Sequence, residues 1–249
     1  AVSALARGRD EGETGGAPDK RRGSIRMLEG TPGERVRFPY LSREAFVSET
    51  DRRALKNLRR LPLLPDLLAK FNEMALDQVW YAQNSAEAIR CGPRQFPTLY
   101  RLLHESCEIL DLEPPELYVR YSPTVNAMTA GVKRPFIVVH SALLDHFSDD
   151  EILYILGHEA GHVKCGHVLY QMLARTLLLL LDAMGGMALG VGQLASLGFL
   201  SAFYEWLRNA ELSADRAGLI ACQDPRTALM ATMKLGAGSS RFAGEMDLD

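Results

Sequence analysis

Residues 156–162 read LGHEAGH, which places His158, Glu159 and His162 in an H-E-x-x-H motif. Histidines four positions apart project from the same face of a helix, so both imidazoles can bind a single metal ion. Glu159 lies beside them and can accept a proton from a water bound to that ion. Zinc suits this arrangement because it binds imidazole readily and lowers the pKa of its bound water to ~7. The motif therefore predicts a zinc site with a general base.

The residues that flank the motif are apolar, as at Leu153 and Ile155, which indicates a buried helix. Buried imidazole and carboxylate groups are costly unless they are paired or bound to a metal. Ser148 and Glu151 match a capping box, so we expect the helix to begin there and to run without a break to about Asp182. The alternative is a surface helix that carries two histidines by chance.

Two histidines leave zinc short of a third protein ligand. The extended motif H-E-x-x-H-x-x-G-x-x-H is not met, because Cys165 stands at its glycine position and Val168 at its last histidine. His167 follows His162 by five residues, which rotates it off the ligand face of a helix. We expect His167 either to support a ligating histidine or to face solvent.

A later helix offers a carboxylate ligand. Glu211 and Asp215 are four residues apart, so they share one helix face. Glu211 would bind the metal, and Asp215 would accept the outer N–H of a ligating histidine and so fix its tautomer. Alone, such a pair is typical of a solvated helix face, but after an H-E-x-x-H motif it favours a third ligand.

Composition limits the classes of protein that remain. The chain has 249 residues, enough for one large domain, and a formal net charge of −3, which gives no support for nucleic-acid binding. Its four cysteines form no C-x-x-C pair, so a disulfide framework is not indicated and a reducing compartment is the default. Residues 1–34 are rich in glycine and charge, and we expect a disordered tail there, followed by one domain over 35–249.

The hydrophobic pattern predicts a mostly α-helical α+β domain. A first helix starts at Ser48, with Ala54, Leu55 and Leu58 on its apolar face and basic residues around it. That basic surface fits either a solvated helix face or contact with an anionic membrane. Further predicted elements are helices over 63–81 and about 96–111, and three short strands over 117–121, 124–129 and 135–139 that form a small sheet before the metal helix.

Several stretches resemble the gluzincin peptidases related to HtpX and the CAAX prenyl proteases. The matching segments are 125–131 (VNAMTAG), 141–145 (SALLD), 156–167 and 210–218. Residues 92–96 (GPRQF) and 203–206 (FYEW) are similar to the cyanobacterial and plastid branch. The resemblance implies a zincin-like fold in which His158, His162 and Glu211 bind Zn²⁺, Glu159 is the general base and Asp215 supports a ligand.

The same resemblance implies where a peptide or protein substrate binds. In such proteins an extended substrate strand lies along the sheet edge above the metal helix, and the residues at that edge give main-chain recognition by strand addition. The matching positions here are Val125, Asn126, Ala127, Met128 and Thr129. We therefore expect these residues to bind substrate.

One departure from the family pattern concerns the end of the chain. Members commonly continue past the glutamate helix to another helical segment and a His-Pro stretch. We find neither before Asp249 in this sequence. The sequence is thus expected to be C-terminally truncated, with an effect on closure of the cleft.

These features predict a zinc metalloendopeptidase, in a plastid or a bacterial cytoplasm and associated with a membrane. One alternative is a membrane-associated binding or assembly factor that keeps a structural zinc site, although such a site needs no base like Glu159. Another is a zincin with a small-molecule substrate, which the predicted edge strand disfavours. The oligomeric state is open.

Membrane association rests on the segment between Ala183 and Tyr204, which contains no charged residue. Because Glu211 must return to the metal, the chain would cross a membrane an even number of times. Arg175 and Asp182 on the outgoing helix are expensive at mid-bilayer. We predict a helical hairpin whose glycine-rich tip enters one leaflet or packs on a partner; the alternative is a hairpin buried in the domain.

Overall fold

A computed structural model of the chain describes residues 35–61, 64–73, 76–183, 192–237 and 245. Within these ranges the chain is mostly helical with one small sheet, so the predicted α+β class is confirmed. The described residues from Arg35 onward belong to one compact unit. Residues 1–34, for which we predict a disordered tail, lie outside the described residues.

The described helices account for most of the fold. They are α1 (Glu49–Leu58), α2 (Leu64–Glu73), α3 (Leu76–Glu87), α4 (Pro97–Leu110), α5 (Ser141–His146), α6 (Asp149–Cys165), α7 (Val168–Ala183), α8 (Gly192–Cys222) and α9 (Pro225–Ala237). The helices predicted from Ser48 and over 96–111 correspond to α1 and α4. The helix predicted over 63–81 is represented by α2 and α3, which flank the undescribed residues 74–75, and α3 continues beyond the predicted end.

The sheet has four strands in the described part of the chain: β1 (Ala88–Arg90), β2 (Glu116–Arg120), β3 (Ala127–Ala130) and β4 (Phe136–His140). Their order is β1-β2-β4-β3, with β2 and β4 parallel and the other two pairs antiparallel. The three later strands overlap the predicted ones, although β3 begins three residues later than predicted. Strand β1 was not predicted, because three residues are too few to show an alternating pattern.

Helix α6, which carries the H-E-x-x-H motif, is the central helix of the domain. Most of its 17 residues are buried, and it packs against α4, α8, α9 and β3. The predicted capping box is present: the Ser148 hydroxyl accepts from the Glu151 N–H, and the Glu151 carboxylate accepts from the Ser148 N–H. The apolar flanks of the motif explain this burial, since they face neighbours on several sides.

Helix α6 ends at Cys165, so the prediction of one uninterrupted helix to Asp182 is wrong. Gly166 adopts a left-handed conformation, with φ at 74°, and its N–H bonds to the carbonyl of His162. Glycine adopts this conformation without the steric cost that a Cβ imposes, which makes it a common helix terminator. Helix α7 then restarts at Val168, and His167 occupies the corner between the two helices.

Helices α6 and α8 approach each other closely beside the motif. A Cβ added at Gly161 would lie 2.5 Å from the Cβ of Ala217 and 3.3 Å from the Cα of Ala214. Small residues on both helices therefore allow a backbone separation that larger side chains would prevent. This approach brings the part of α8 that carries Glu211 next to the two histidines.

Helices α7 and α8 flank the segment for which we predict a hairpin around residues 183–204. The predicted tip falls on residues 184–191, which lie outside the described residues. Among the helices that the structure describes, none has the length and apolar character needed to cross a membrane.

Candidate metal centre

Three donor groups meet where α6 faces α8. The Nε2 atoms of His158 and His162 are 3.2 Å apart on one face of α6. The Glu211 carboxylate comes from α8, with Oε2 3.2 Å from His158 Nε2 and Oε1 3.6 Å from His162 Nε2. The structure thus brings together the three residues that the sequence predicts as metal ligands.

The spacing of these donors fits a small tetrahedral metal ion. Ligand atoms about 2.0–2.1 Å from a tetrahedral zinc are separated from one another by about 3.3 Å. The three separations here are 3.2, 3.2 and 3.6 Å. Two imidazoles and one carboxylate leave a fourth position for a water or substrate atom, as in a catalytic site.

Each histidine has its other ring nitrogen occupied, which leaves Nε2 for the metal. His158 Nδ1 lies 3.0 Å from Asp215 Oδ1, and Asp215 also accepts a hydrogen bond of 3.0 Å from the Tyr154 hydroxyl. His162 Nδ1 lies 3.0 Å from Nδ1 of His167. Asp215 therefore occupies the position expected of a residue that fixes the tautomer of a ligand.

Electrostatics in the metal-free centre favour an ion pair. Burial disfavours charge on His158, but the Asp215 and Glu211 carboxylates outweigh it and raise its pKa to about 10. Burial likewise favours neutral Glu211, yet hydrogen bonds from His158 and His162 lower its pKa below the usual range. Burial lowers the pKa of His162. A cation that replaces the His158 proton would therefore meet a charged carboxylate.

Glu159 is buried next to the donor residues, and a threonine holds its side chain. The Thr129 hydroxyl on β3 lies 2.5 Å from the Glu159 carboxylate and 3.1 Å from the Glu159 carbonyl. The Thr129 carbonyl in turn accepts a hydrogen bond of 3.1 Å from Arg175 Nη1 on α7. These contacts fix the orientation of the predicted base.

A cavity of about 390 Å³ opens beside Glu159. It is lined by His158, Glu159, Glu211 and Asp215 together with Val125, Asn126, Ala127, Tyr154, Ile155, Thr232 and Leu235. Three of the five residues predicted to bind substrate therefore line it. The other two do not: Met128 lines a separate cavity, and Thr129 is buried against Glu159.

The structure also reveals site residues that the sequence did not indicate. Thr232 and Leu235 belong to α9, so the expectation that no helix follows the glutamate helix is wrong. Tyr154 precedes His158 by one helical turn, a spacing that could have identified it as a neighbour of the same face. Arg175, interpreted from sequence as a charge unsuited to a membrane, instead holds the β3 backbone.

Comparison with known proteins identifies the family. The sequence profile of peptidase family M48 matches residues 93–243, more than half of the chain. The chain belongs to peptidase family M48. The matched region contains all three candidate ligands, Glu159 and Asp215, whereas α1 precedes it. This result confirms the resemblance to HtpX-type peptidases.

Individual relatives place the chain within family M48 more finely. It is 33% identical over 215 residues to the plastoglobule-localized metallopeptidase 48, chloroplastic, of Arabidopsis thaliana, covering 85% of this chain and 61% of that protein. An HtpX protease homolog of Neisseria meningitidis is 40% identical over 58 residues, 22% of this chain and 21% of the homolog. The HtpX protease of Xylella fastidiosa is 31% identical over 78 residues, 30% and 27% of the two chains. No solved structure matches the chain.

Proposed function

We propose that this chain is a zinc-dependent metalloendopeptidase. The observation that carries the proposal is the tetrahedral spacing of the His158, His162 and Glu211 donor atoms, with Glu159 held beside them. Membership of a peptidase family supports the same conclusion. Zinc is the metal we propose because it favours two imidazoles, one carboxylate and an open fourth position.

Glu159 is the proposed general base. Zinc, when bound, would lower the pKa of its bound water and polarise the scissile carbonyl. Glu159 accepts the proton of the attacking water and then passes it to the leaving amine. Thr129 restrains the Glu159 carboxylate through its 2.5 Å hydrogen bond. Burial of Glu159 limits its freedom to turn away.

We further propose that a peptide substrate pairs with the outer edge of β3. The Asn126 carbonyl accepts a hydrogen bond from the His140 N–H. The main-chain N–H and C=O groups of even-numbered residues in this segment therefore point towards β4, and those of odd-numbered residues point towards the open edge. On that edge, Arg175 Nη1 already donates a hydrogen bond to the Thr129 carbonyl. The proposed main-chain contacts are therefore made by Ala127 and Val125 rather than by Thr129.

Hydrolysis of casein by the parent protein and by Glu159→Gln tests the proposed reaction. We expect the parent to cleave casein, to lose activity with a chelator and to regain it with zinc. Glu159→Gln should bind zinc normally and cleave ~10²–10⁴-fold more slowly, because only the base is removed. Equal rates would refute Glu159 as the base. A zinc-loaded parent that cleaves no peptide would favour the alternative of a binding or assembly factor with a structural metal.

A plastid location is proposed from the name of the Arabidopsis relative, a chloroplastic protein of plastoglobules. Contact of the 183–204 segment with one membrane leaflet also stays a prediction. Carbonate washing of membranes and protease protection of a tag near Gly186 test the contact. Release by carbonate would contradict insertion into a leaflet, and protection of the tag on the far side would mean full spans.

A further inference from the structure

A chain of polar groups runs from His162 into the interior, away from the substrate cavity. His162 Nδ1 lies 3.0 Å from His167 Nδ1, and His167 Nε2 lies 3.1 Å from Asp51 Oδ2. The Ser213 hydroxyl donates a hydrogen bond of 2.6 Å to the same Asp51 oxygen. The Ser48 N–H donates to the Ser213 hydroxyl at 3.0 Å. Every donor–acceptor pair in this chain is therefore within hydrogen-bond distance.

These groups come from separate parts of the fold and are all buried. Asp51 belongs to α1, His167 to the corner between α6 and α7, and Ser213 to α8; their exposures are 1%, 1% and 0%. Trp206 packs edge-on against the His167 ring, with centroids 5.8 Å apart. A buried carboxylate is costly unless it is hydrogen-bonded. The fold therefore maintains this cluster by packing three elements around it.

A metal on His162 would determine the hydrogen positions along this chain. With Nε2 bound to the ion, the remaining His162 proton sits on Nδ1 and must be donated. The His167 Nδ1 is then the acceptor, so the proton of neutral His167 sits on Nε2. That N–H faces Asp51 Oδ2, which accepts it. With the metal bound, a single tautomer of each ring gives every ring nitrogen of His162 and His167 a partner.

We propose that His167 and Asp51 form a positioning relay that holds His162 for the metal. The inference rests on the proposed metal site and adds two residues to it. The Asp51 carboxylate acts through His167 as a carboxylate usually acts directly on a ligating histidine, fixing its tautomer and increasing its basicity. Asp51 lies in α1, outside the region 93–243 that matches the family profile. Docking of α1 thereby becomes a condition for tight metal binding.

Gln171 is the competing partner of His162. Its amide nitrogen lies 3.2 Å from His162 Nδ1 and 3.4 Å from Nε2. An amide nitrogen only donates, so it cannot accept the Nδ1 proton of a metal-bound His162. A rotated amide would present its oxygen instead, which is an alternative that experiment must separate from the relay.

Metal affinity of the complete chain, measured by competition with a chromophoric zinc chelator, tests the relay. Asp51→Asn and His167→Leu should each lower the affinity about 10- to 100-fold. His167→Gln should retain most of it, because a glutamine amide offers an acceptor to His162 and a donor to Asp51 on one planar group. Gln171→Leu should bind zinc as the parent does. Asp51→Asn keeps the test valid if His167→Leu does not fold.

A matched control separates positioning from a general loosening of the core. Ser106 is also 0% exposed, and its hydroxyl bonds to the carbonyls of Leu102 and Leu153. Ser106→Ala should lower the thermal stability of the metal-free protein and leave the zinc affinity unchanged. A loss of affinity in Ser106→Ala equal to that in Asp51→Asn would overturn the relay.

Nitrogen-15 NMR of the histidine rings gives a readout that packing alone would not change. In the zinc-loaded protein we expect a proton on His162 Nδ1 and on His167 Nε2. A protonated His167 Nδ1, unchanged zinc affinity in Asp51→Asn, or loss in Gln171→Leu with none in His167→Leu would each overturn the proposal. Zinc affinity is independent of hydrolysis, so a protein that binds zinc through the relay but cleaves nothing would refute only the proposed function.

Discussion

His158 and His162 carry the same side chain one helical turn apart, yet their surroundings differ. The His158 side chain is 17% exposed, lines the cavity beside Glu159 and contacts Asp215, whose own side chain is 46% exposed. The His162 side chain is 3% exposed and reaches Asp51, 2% exposed, through His167. We call the His158 half of the centre its open side and the His162 half its closed side. On the open side, the carboxylate that contacts the histidine is also reached by water. On the closed side, the carboxylate is the buried Asp51, whose charge is stabilised by hydrogen bonds from His167 and Ser213.

The two histidines of α6 thus differ in how the carboxylate on each side is stabilised. Burial alone would raise the pKa of Asp51, but hydrogen bonds from His167 and Ser213 lower it below its ordinary value. These two hydrogen bonds come from the corner between α6 and α7 and from α8, so they form only while α1 packs against those elements. Asp215 differs in that water reaches its half-exposed side chain directly. The following predictions test the contrast, from the largest effect to the smallest.

The largest effect is expected from the loss of a ligand on the open side. His158→Ala should lower zinc affinity by more than the ~100-fold upper range for an outer partner, because one of three donors is removed. Metal analysis after gel filtration measures it. His104→Ala, a histidine on α4 away from the centre, is the control and should keep its zinc. A fully loaded His158→Ala protein would exclude the proposed ligand set.

A pH series should separate metal binding from the stability of the metal-free fold. Metal must displace the proton of His158, whose pKa is raised to about 10, so zinc affinity should increase about tenfold per unit between pH ~7 and ~9. Protonated His158 stabilises the metal-free protein fully below its unfolded pKa of 6.5, and this contribution is lost as the pH rises through about 10.

Chelator competition and thermal denaturation of the metal-free protein over the same pH range test this prediction. Its sign depends on the groups that face His158, which are Asp215, Glu211, Glu159 and His162. Affinity should rise while metal-free stability falls. Two curves that rise together would contradict the ion pair between His158 and Glu211.

Thr129→Val should affect hydrolysis without affecting the metal. The valine keeps the shape of the threonine but removes the hydroxyl that contacts the Glu159 carboxylate. We expect kcat for a fluorogenic peptide to fall ~10-fold, the value of one hydrogen bond to a charged group. Thr124→Val, an exposed position before β3, is the control. A loss of zinc in Thr129→Val would show that Thr129 supports the ligands rather than the base.

The smallest effect is expected for the stability of Asp215→Asn without metal. Its exposed side chain should contribute at most ~1 kcal/mol to the free energy of unfolding. Asp51→Asn should cost about 1–3 kcal/mol, because buried donors lose their charged acceptor. Urea denaturation of the metal-free variants measures both. Equal losses would remove the distinction between an open and a closed side of the centre.

Local spacing in the sequence predicted much of the candidate metal centre. The i, i+4 relation of His158 to His162 and of Glu211 to Asp215 puts each pair on one helix face, whatever the rest of the fold does. The capping box at Ser148 likewise acts between residues three positions apart, and it is present. Such features are predictable because the geometry of one helix determines them.

Contacts between distant elements could be decided only by the tertiary structure. Asp51 and His167 are 116 residues apart, and they meet because Gly166 ends α6 and turns His167 back towards His162. The sequence did carry one signal: Asp51 lies on the same helical stripe as Ala54 and Leu58, so its burial follows from the pattern. The identity of its partner, His167, does not follow from the pattern, because the packing of α1 against α8 sets the distance between Asp51 and His167.

The two sides of the centre therefore differ in what the sequence determined. The sequence determined the histidine pair of α6 proposed as ligands, the position of the proposed base and the carboxylates of α8, because helical periodicity fixes which side chains share a face. Only the tertiary structure decided that Thr129 holds Glu159, that Arg175 occupies the β3 edge and that Asp51 supports His162. Each of those contacts depends on the distance between two packed elements, and that distance is set by the whole core rather than by neighbours in the chain.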